Sequence, residues 1–307
     1  MMRISRILSL VLVAVSSVPV VTFAQTSRTQ IVMLGTGTPI PDPDRMGSAV
    51  AIVVDSVAYL FDAGTGVVRR AAAAGRNGIK AFAPATPKAQ PAPKFDRVFL
   101  THLHSDHTLG LADVIFTPWI QGREAPLDIY GPPGTQHLVK GILDANAEDI
   151  NERAHAFGGP PRNGWNSVVH EIAEGEVFRD ARITVTAFAV PHADWKYAFG
   201  YKVQTPDRTI VISGDTRPTD AIAKQCNGCD VLIHEVYGVN SKRTENNHFV
   251  NGHTNAFELG ELAARAKPKL LILNHQMNHG VSADDILGQI GTKYSGRVVW
   301  ATDLAVY

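Results

Sequence analysis

The sequence predicts an α/β protein in which sheets flanked by helices carry polar groups at the ends of their strands. Three observations predict it. Apolar strand-like runs alternate with helical stretches from about residue 30 to residue 300. Five of those runs stop at a ligand-type or catalytic group, namely His102/His104, His192, Asp215, His234/Glu235 and His275, and sheets of this class carry their sites at the carboxyl ends of strands. The 307 residues, 45% hydrophobic and 19% charged, suffice for one large two-layered domain or two small ones.

The amino terminus stands apart. Arg3 and Arg6 precede an almost wholly apolar run at 7–21, and Thr22-Phe23-Ala24 ends in a small residue. That order describes a secretory signal peptide at 1–24, cut after Ala24, with 25–307 as a single domain. The apolar run is short for a bilayer span, so no stable membrane anchor is expected and the protein is expected to be periplasmic or secreted. Losing residues 1–24 removes two Arg and no acid from 29 basic and 29 acidic side chains, leaving a net charge of −2. A protein that grips phosphate backbones normally shows a basic excess, and this one does not.

Residues 31–34 read as a strand leading into Gly35-Thr36-Gly37-Thr38-Pro39. Neither nucleotide-binding glycine pattern is present, so the turn is read as a tight sheet-edge turn. Residues 50–54 and 57–61 form a hairpin, and Asp62-Ala63-Gly64 leads into an alanine-rich helix ending near Gly75; Asp62 suits a ligand, a cap or an orienting group equally. Residues 76–94, rich in Ala, Pro and Lys, read as a surface loop. A strand at 98–100 precedes His102, and after it come an apolar helix at 109–116, a strand at 127–130 and a helix at 135–150. Residues 151–166, with Phe157 and Trp165, read as an irregular loop, either a lid or plain surface.

Strands resume at 183–190, 198–203 and 209–212. A helix reaching Lys224, a strand at 231–233, a helix at 256–266 capped by Thr254 or Asn255, a strand at 270–273 and a last helix and strand complete the chain. Cys226 and Cys229, between helix and strand, read as a local disulfide or two free thiols without a catalytic role.

The densest chemistry lies at 101–110, THLHSDHTLG. Side chains two apart in an extended segment point the same way, so His102 and His104 reach one metal ion together. If a helix follows, Asp106 and His107 in its first turn face a second ion. The assignment is His102, His104 and His192 for the first ion, Asp106, His107 and His275 for the second, and Asp215 bridging. Imidazole and carboxylate donors suit two zinc ions, or manganese or iron. Two ions about 3.5 to 4 Å apart acidify a shared water for attack on an electrophile.

The run HxHxDH at 102–107, followed by His192, Asp215 and His275, resembles the metallo-β-lactamase superfamily of metallohydrolases over almost all of the mature chain. The resemblance implies an αββα sandwich with the metals at one edge of the two sheets, and casts Asp106 and His107 as ligands of the second ion. Leu34 to Pro39, Ser213-Gly214-Asp215-Thr216, His234-Glu235 and Gly252-His253-Thr254 resemble the ribonuclease Z and arylsulfatase branch. That branch implies a catalytic pair, Glu235 holding His253, which donates a proton to the leaving group; Asp106 completes the catalytic set. Ribonuclease Z carries a long tRNA-holding arm between the third ligand motif and the bridging Asp, whereas here His192 and Asp215 are 23 positions apart.

The expected function is therefore hydrolysis of small sulfate or phosphate esters, arylsulfatase-like activity first and phosphodiesterase activity second, with no tRNA partner. Ribonuclease Z-like cleavage of RNA, lactone or β-lactam hydrolysis, and a non-catalytic binding module are the alternatives. The oligomeric state stays open, a homodimer among the options. His137, His155 and His170 read as structural or solvated, and His234 as core or supporting. His248 and His279 lie near the site motifs, and Trp195 reads as packing rather than a substrate platform.

Overall fold

In the computed structural model, described for residues 28–83, 93–156, 158–240 and 247–307, the chain forms two mixed sheets, each covered on its outer face by helices. The proposed signal peptide, residues 84–92 of the Ala/Pro/Lys-rich stretch, Phe157 and the side chain of His248 lie outside the described residues. The first sheet has the order β1 (Thr29–Gly35), β2 (Ala49–Val54), β3 (Val57–Phe61), β4 (Arg97–Phe99), β5 (Leu127–Gly131), β6 (Ser167–Glu171). The second runs from its C-terminal edge inward as β13 (Val298–Trp300), β12 (Leu270–Met277), β11 (Val231–Tyr237), β10 (Thr209–Ile212), β9 (Phe199–Gln204), β8 (Thr184–Ala189), β7 (Gly175–Arg179). This is the expected αββα sandwich.

Alternation along β1 shows how the layers form. Ile31 and Met33 face the core between the sheets with Tyr201 and Ile272, while Val32 and Leu34 face the outer helical layer, because successive strand residues point to opposite faces. That outer layer contains α1 (Val67–Arg76), α3 (Leu111–Ile120) and α4 (Thr135–Ala145); a four-residue helix, α2 (Ser105–Thr108), follows β4. Across the second sheet, α6 (Asp220–Cys226), α8 (Ala256–Ala266) and α9 (Ala283–Gly291) bury Ile222, Leu259, Leu262 and Ile286. At the other edge the carboxyl terminus pairs with β1, Ile31 and Tyr307 exchanging backbone bonds of 3.0 Å.

Several boundaries differ from the sequence reading. The helix expected over 135–150 is broken at Asn146 into α4 and α5 (Ala147–His155); Asn146 leaves helical geometry and its side chain bonds Ile142 O at 2.8 Å, an alternative to continuing the helix. Residues 151–155 are thus helical rather than loop. The rest of that loop is pinned to α3: Trp119 Nε1 donates to Pro161 O at 2.7 Å, and buried Arg123 bonds Gly164 O at 2.8 Å. No described residue of 158–166 lines the cavity that opens over the site. Strands β6 and β7 were not expected. Each is the edge of its sheet and exposes Glu171, Glu176 or Arg179, and edge strands carry such charges in place of a clean alternation. A further short helix, α7 (Asn247–Gly252), precedes His253.

Cys226 and Cys229 form a disulfide between the end of α6 and the turn into β11. Both sulfurs are buried, so of the two readings the local staple holds. Among the described residues no helix is long and apolar enough to cross a membrane.

Candidate metal centre

The end of β4 delivers the opening motif as the sequence pattern requires. His104 is extended and α2 starts at Ser105, so Asp106 and His107 fall in its only turn. Gly64 makes this approach possible: a Cβ there would lie 2.2 Å from the Gly47 carbonyl carbon and 2.6 Å from Asp106 O. His192 follows β8, and Asp215 follows β10. His234, Glu235 and His275 lie inside β11 and β12 rather than after them, because both strands run further than their apolar cores.

His275 shows how a residue inside a strand can still reach the site. Glu235 pairs with Asn274 and Val236 with Gln276, leaving His275 as the extra residue of a bulge, with φ of 45°. A bulge re-aims a side chain, and a left-handed non-glycine conformation costs on the order of 1–3 kcal/mol. Apolar periodicity carries no signal of it.

Two clusters of donor atoms result. His102, His104, His192 and Asp215 form one and Asp106, His107 and His275 the other, the donor atoms of each lying within 4.8 Å of one another. In the first, His104 Nδ1 is 3.0 Å from His102 Nε2 and 3.1 Å from His192 Nε2. In the second, Asp106 Oδ2 is 3.0 Å from His275 Nε2 and 3.5 Å from His107 Nε2. Asp215 Oδ2 lies 3.5 Å from both His107 Nε2 and His275 Nε2, so one carboxylate serves both clusters. All seven ligand candidates are thereby brought together.

The far sides of the rings set their tautomers. Thr101 donates its hydroxyl to Asp62 at 2.9 Å, so its oxygen accepts from His102 Nδ1 at 3.0 Å. His107 Nδ1 donates to Asp62 Oδ2 at 2.8 Å, and His192 Nδ1 donates to Gly252 O at 2.7 Å. Each bond occupies Nδ1 and turns Nε2 of its ring toward the cluster, the orientation that metal ligation requires. Asp62 is thus an orienting group and not a ligand. Trp195, placed by the turn after His192, sets its indole N–H against His104 Nε2. The sequence reading had weighted it toward packing.

The donor set fits two divalent ions. It offers borderline nitrogen ligands and hard carboxylate oxygens, and His107 Nε2, buried, has no hydrogen-bond partner among the described residues. Electrostatics agree. Burial and the neighbouring rings hold His102 well below the usual imidazole range and His104 at about 4, so both rings are neutral. Burial would raise Asp215, yet His275 and His107 hold it well below the usual carboxylate range. His107 would be lowered by burial, but Asp215 and Asp62 raise it well above 6.5.

Glu235 Oε1 accepts from His253 Nδ1 at 3.0 Å and from Thr216 N at 3.0 Å. Burial opposes charge on His253, but Glu235 outweighs it and the ring is pushed up to about 9. A protonated imidazole therefore stands beside the clusters at neutral pH. It borders a cavity of about 220 Å³ over Asp106, Asp215 and His275. The far wall is Ile40, Phe249, Met277 and His279, with Phe249 ring-to-ring at 4.8 Å from His253 and 4.6 Å from His279. Phe249 was not singled out from sequence, since a lone aromatic in a polar loop has no periodicity. His137, His155 and His170 do not line this cavity: His170 stacks on Tyr130 at 4.3 Å, and His155 bonds Asn151 O on α5.

Residues 58–276 match the family model described as the beta-lactamase superfamily domain. The chain belongs to the metallo-β-lactamase superfamily, in its ribonuclease Z-like branch. Within this superfamily it is 31% identical to Ribonuclease Z of Mycobacterium bovis over 290 residues, 90% of this chain and 96% of the relative. It is equally identical to Ribonuclease Z of Mycobacterium marinum over 287 residues, 90% and 96% of the two chains. The superfamily fold is shared with human tRNase Z, short form (TM-score 0.65, 23% identity, 91% of this chain and 98% of that one). As a superfamily member with these donor groups, the protein is a metal-dependent hydrolase acting on ester bonds.

Proposed function

We propose that the chain is a two-metal phosphodiesterase, preferring small diesters, in which His253 protonates the leaving oxygen. The observation that carries this reading is the Glu235–His253 pair at the edge of the cavity over both clusters. Cleavage of an ester expels an alkoxide or phenoxide, and a proton held at His253 Nε2 neutralises it as the bond breaks. Two divalent ions, when bound, supply an acidified water and offset charge on the ester oxygens. The chain's own residues do the rest. Glu235 fixes the tautomer and charge of His253, Asp62 and Thr101 orient His107 and His102, and Phe249 with His279 gives the leaving group an apolar wall.

Phosphodiesters come before aryl sulfates because the relatives carry the name Ribonuclease Z. Aryl sulfates remain a second reading, supported by the aromatic wall beside the proton donor. Small substrates are favoured over folded tRNA by the simple strand pair β9–β10 between His192 and Asp215 and by the lack of a basic excess. The alignments with the ribonuclease Z relatives run nearly end to end in both chains, leaving little room for a long arm in them either. Precursor RNA therefore belongs in the test. Zinc-reconstituted protein is to be assayed with bis-nitrophenyl phosphate, cyclic nucleotides, nitrophenyl sulfate, precursor tRNA, a lactone and a β-lactam. Diesters should turn over fastest; turnover confined to the lactone or lactam would sink the reading, and precursor tRNA as the best substrate would overturn its small-substrate part.

Export is part of the same proposal. The charged and apolar segments before Gln25 support it, as does a disulfide, which persists in oxidising compartments. Cell fractionation with amino-terminal sequencing should find a periplasmic or secreted chain beginning at Gln25.

A further inference from the structure

Beneath the metal centre, between the sheets, lies an internal cavity of about 20 Å³. Besides His107 Nε2, which faces the clusters, four buried atoms on its lining residues have no hydrogen-bond partner among the described residues: His234 Nε2, Glu235 Oε2, Asn274 Oδ1 and His275 Nδ1. Their side chains are 0 to 7% exposed. Leaving one such group unpaired costs about 1–3 kcal/mol, so four together demand an explanation.

Their proton inventory is complementary. His234 Nδ1 donates to the backbone carbonyl of Glu235 at 2.7 Å, so in the neutral ring Nε2 is an acceptor. His275 turns Nε2 toward Asp106 and Asp215; an ion held there would take Nε2 free of its proton, and the ring's proton would then sit on Nδ1, a donor. Glu235 Oε2 is a carboxylate acceptor, its partner oxygen being engaged by His253 and Thr216. One donor and two strong acceptors, with the Asn274 amide oxygen as a further acceptor, belong to residues lining this space, and a water needs roughly 10–15 Å³. A water accepts one such bond and donates two.

We propose that one water molecule is bound in this cavity as a fixed part of the site, accepting from His275 Nδ1 and donating to His234 Nε2 and Glu235 Oε2, and that His234 is a positioning residue acting through it on His275. His102, His107 and His192 each have a protein group on the far nitrogen. For His275, on its strained bulge, the water plays that part. It also joins the support of a metal ligand to Glu235, the support of the proton donor. The inference rests on His275 facing the second cluster through Nε2, and not on which ester is cleaved.

Two measurements on the full chain test it. In a crystal structure of the zinc-loaded wild type that orders internal waters, one water should lie within hydrogen-bond distance of all three atoms; a dry cavity, or direct protein bonds to these atoms, overturns the proposal. Cobalt titration followed by visible absorption should show the second binding event weakened about 10- to 100-fold in His234→Leu with the first unchanged. His234→Gln, which keeps an acceptor, should recover most of the loss. A purely packing role would lower the melting temperature of the metal-free variants without separating the two cobalt events, and wild-type cobalt affinities in His234→Leu would also overturn the proposal. Should His234→Leu fail to fold, the crystal structure still decides.

Discussion

His253 and Glu235 make the sharpest residue-level expectation, since His253 stands beside the clusters, outside the candidate ligand set, and is paired with a carboxylate. His253→Ala should lower kcat/KM by about 10²- to 10⁴-fold for diesters with alkoxide leaving groups, and far less for nitrophenolate, which departs without a proton. The acid form is the active one, and burial is outweighed by Glu235 to set its loss at about 9. Wild-type kcat/KM for alkoxide esters should therefore hold at neutral pH and fall as pH rises through about 9. In Glu235→Gln, with the charge partner gone, that fall should begin at lower pH; a pH–rate profile unchanged in both variants would dismiss the pair as the acid. Ligand residues were legible because imidazole and carboxylate at HxHxDH spacing announce themselves locally. Asp62 was not, because whether it binds metal or holds His107 depends on a 2.8 Å contact across 45 residues.

At the scale of elements, backbone geometry decides what side chains alone do not. Gly64 lets the turn after β3 lie against the backbone of Gly47 and Asp106. Gly64→Ala pushes Cβ into main chain that cannot swing aside, and an overpacked site of this kind costs about 1–3 kcal/mol. Thermal denaturation should show that loss, together with weaker metal binding at the second cluster, because Asp106 must shift. The helix α8 offers a contrast far from the ligands. Asn255 accepts from Glu258 N at 3.0 Å and Glu258 returns a bond to Asn255 N at 3.1 Å, a capping box. Asn255→Ala should cost about 0.5–2 kcal/mol in chemical denaturation, with metal stoichiometry intact. Central strands and long helices were readable from their periodicity. Edge strands β6 and β7 were not, since their exposed charges erase alternation, and the His275 bulge leaves no mark in composition at all.

For the whole molecule, the candidate ligands divide between the layers. His102, His104, Asp106 and His107 extend from β4 in the first sheet, while His192, Asp215 and His275 belong to the second. Binding that occurs only in the folded state stabilises it by about 4 kcal/mol at a thousandfold excess over Kd. Chelation of the zinc-loaded protein should thus lower the melting temperature by on the order of 10 °C, reversibly on zinc addition; an unchanged transition would mean the clusters hold no structural metal. The architecture was legible from strands ending in donor groups, but the division of those donors between two sheets emerges only from the topology.

That division makes the metal centre a clasp across a seam. Each half of the sandwich carries only part of each ligand set, so neither half alone can close a cluster, and sliding of one sheet over the other spoils both at once. Chelation should accordingly loosen amide protons of β4 and β12 together, far beyond the ligands themselves.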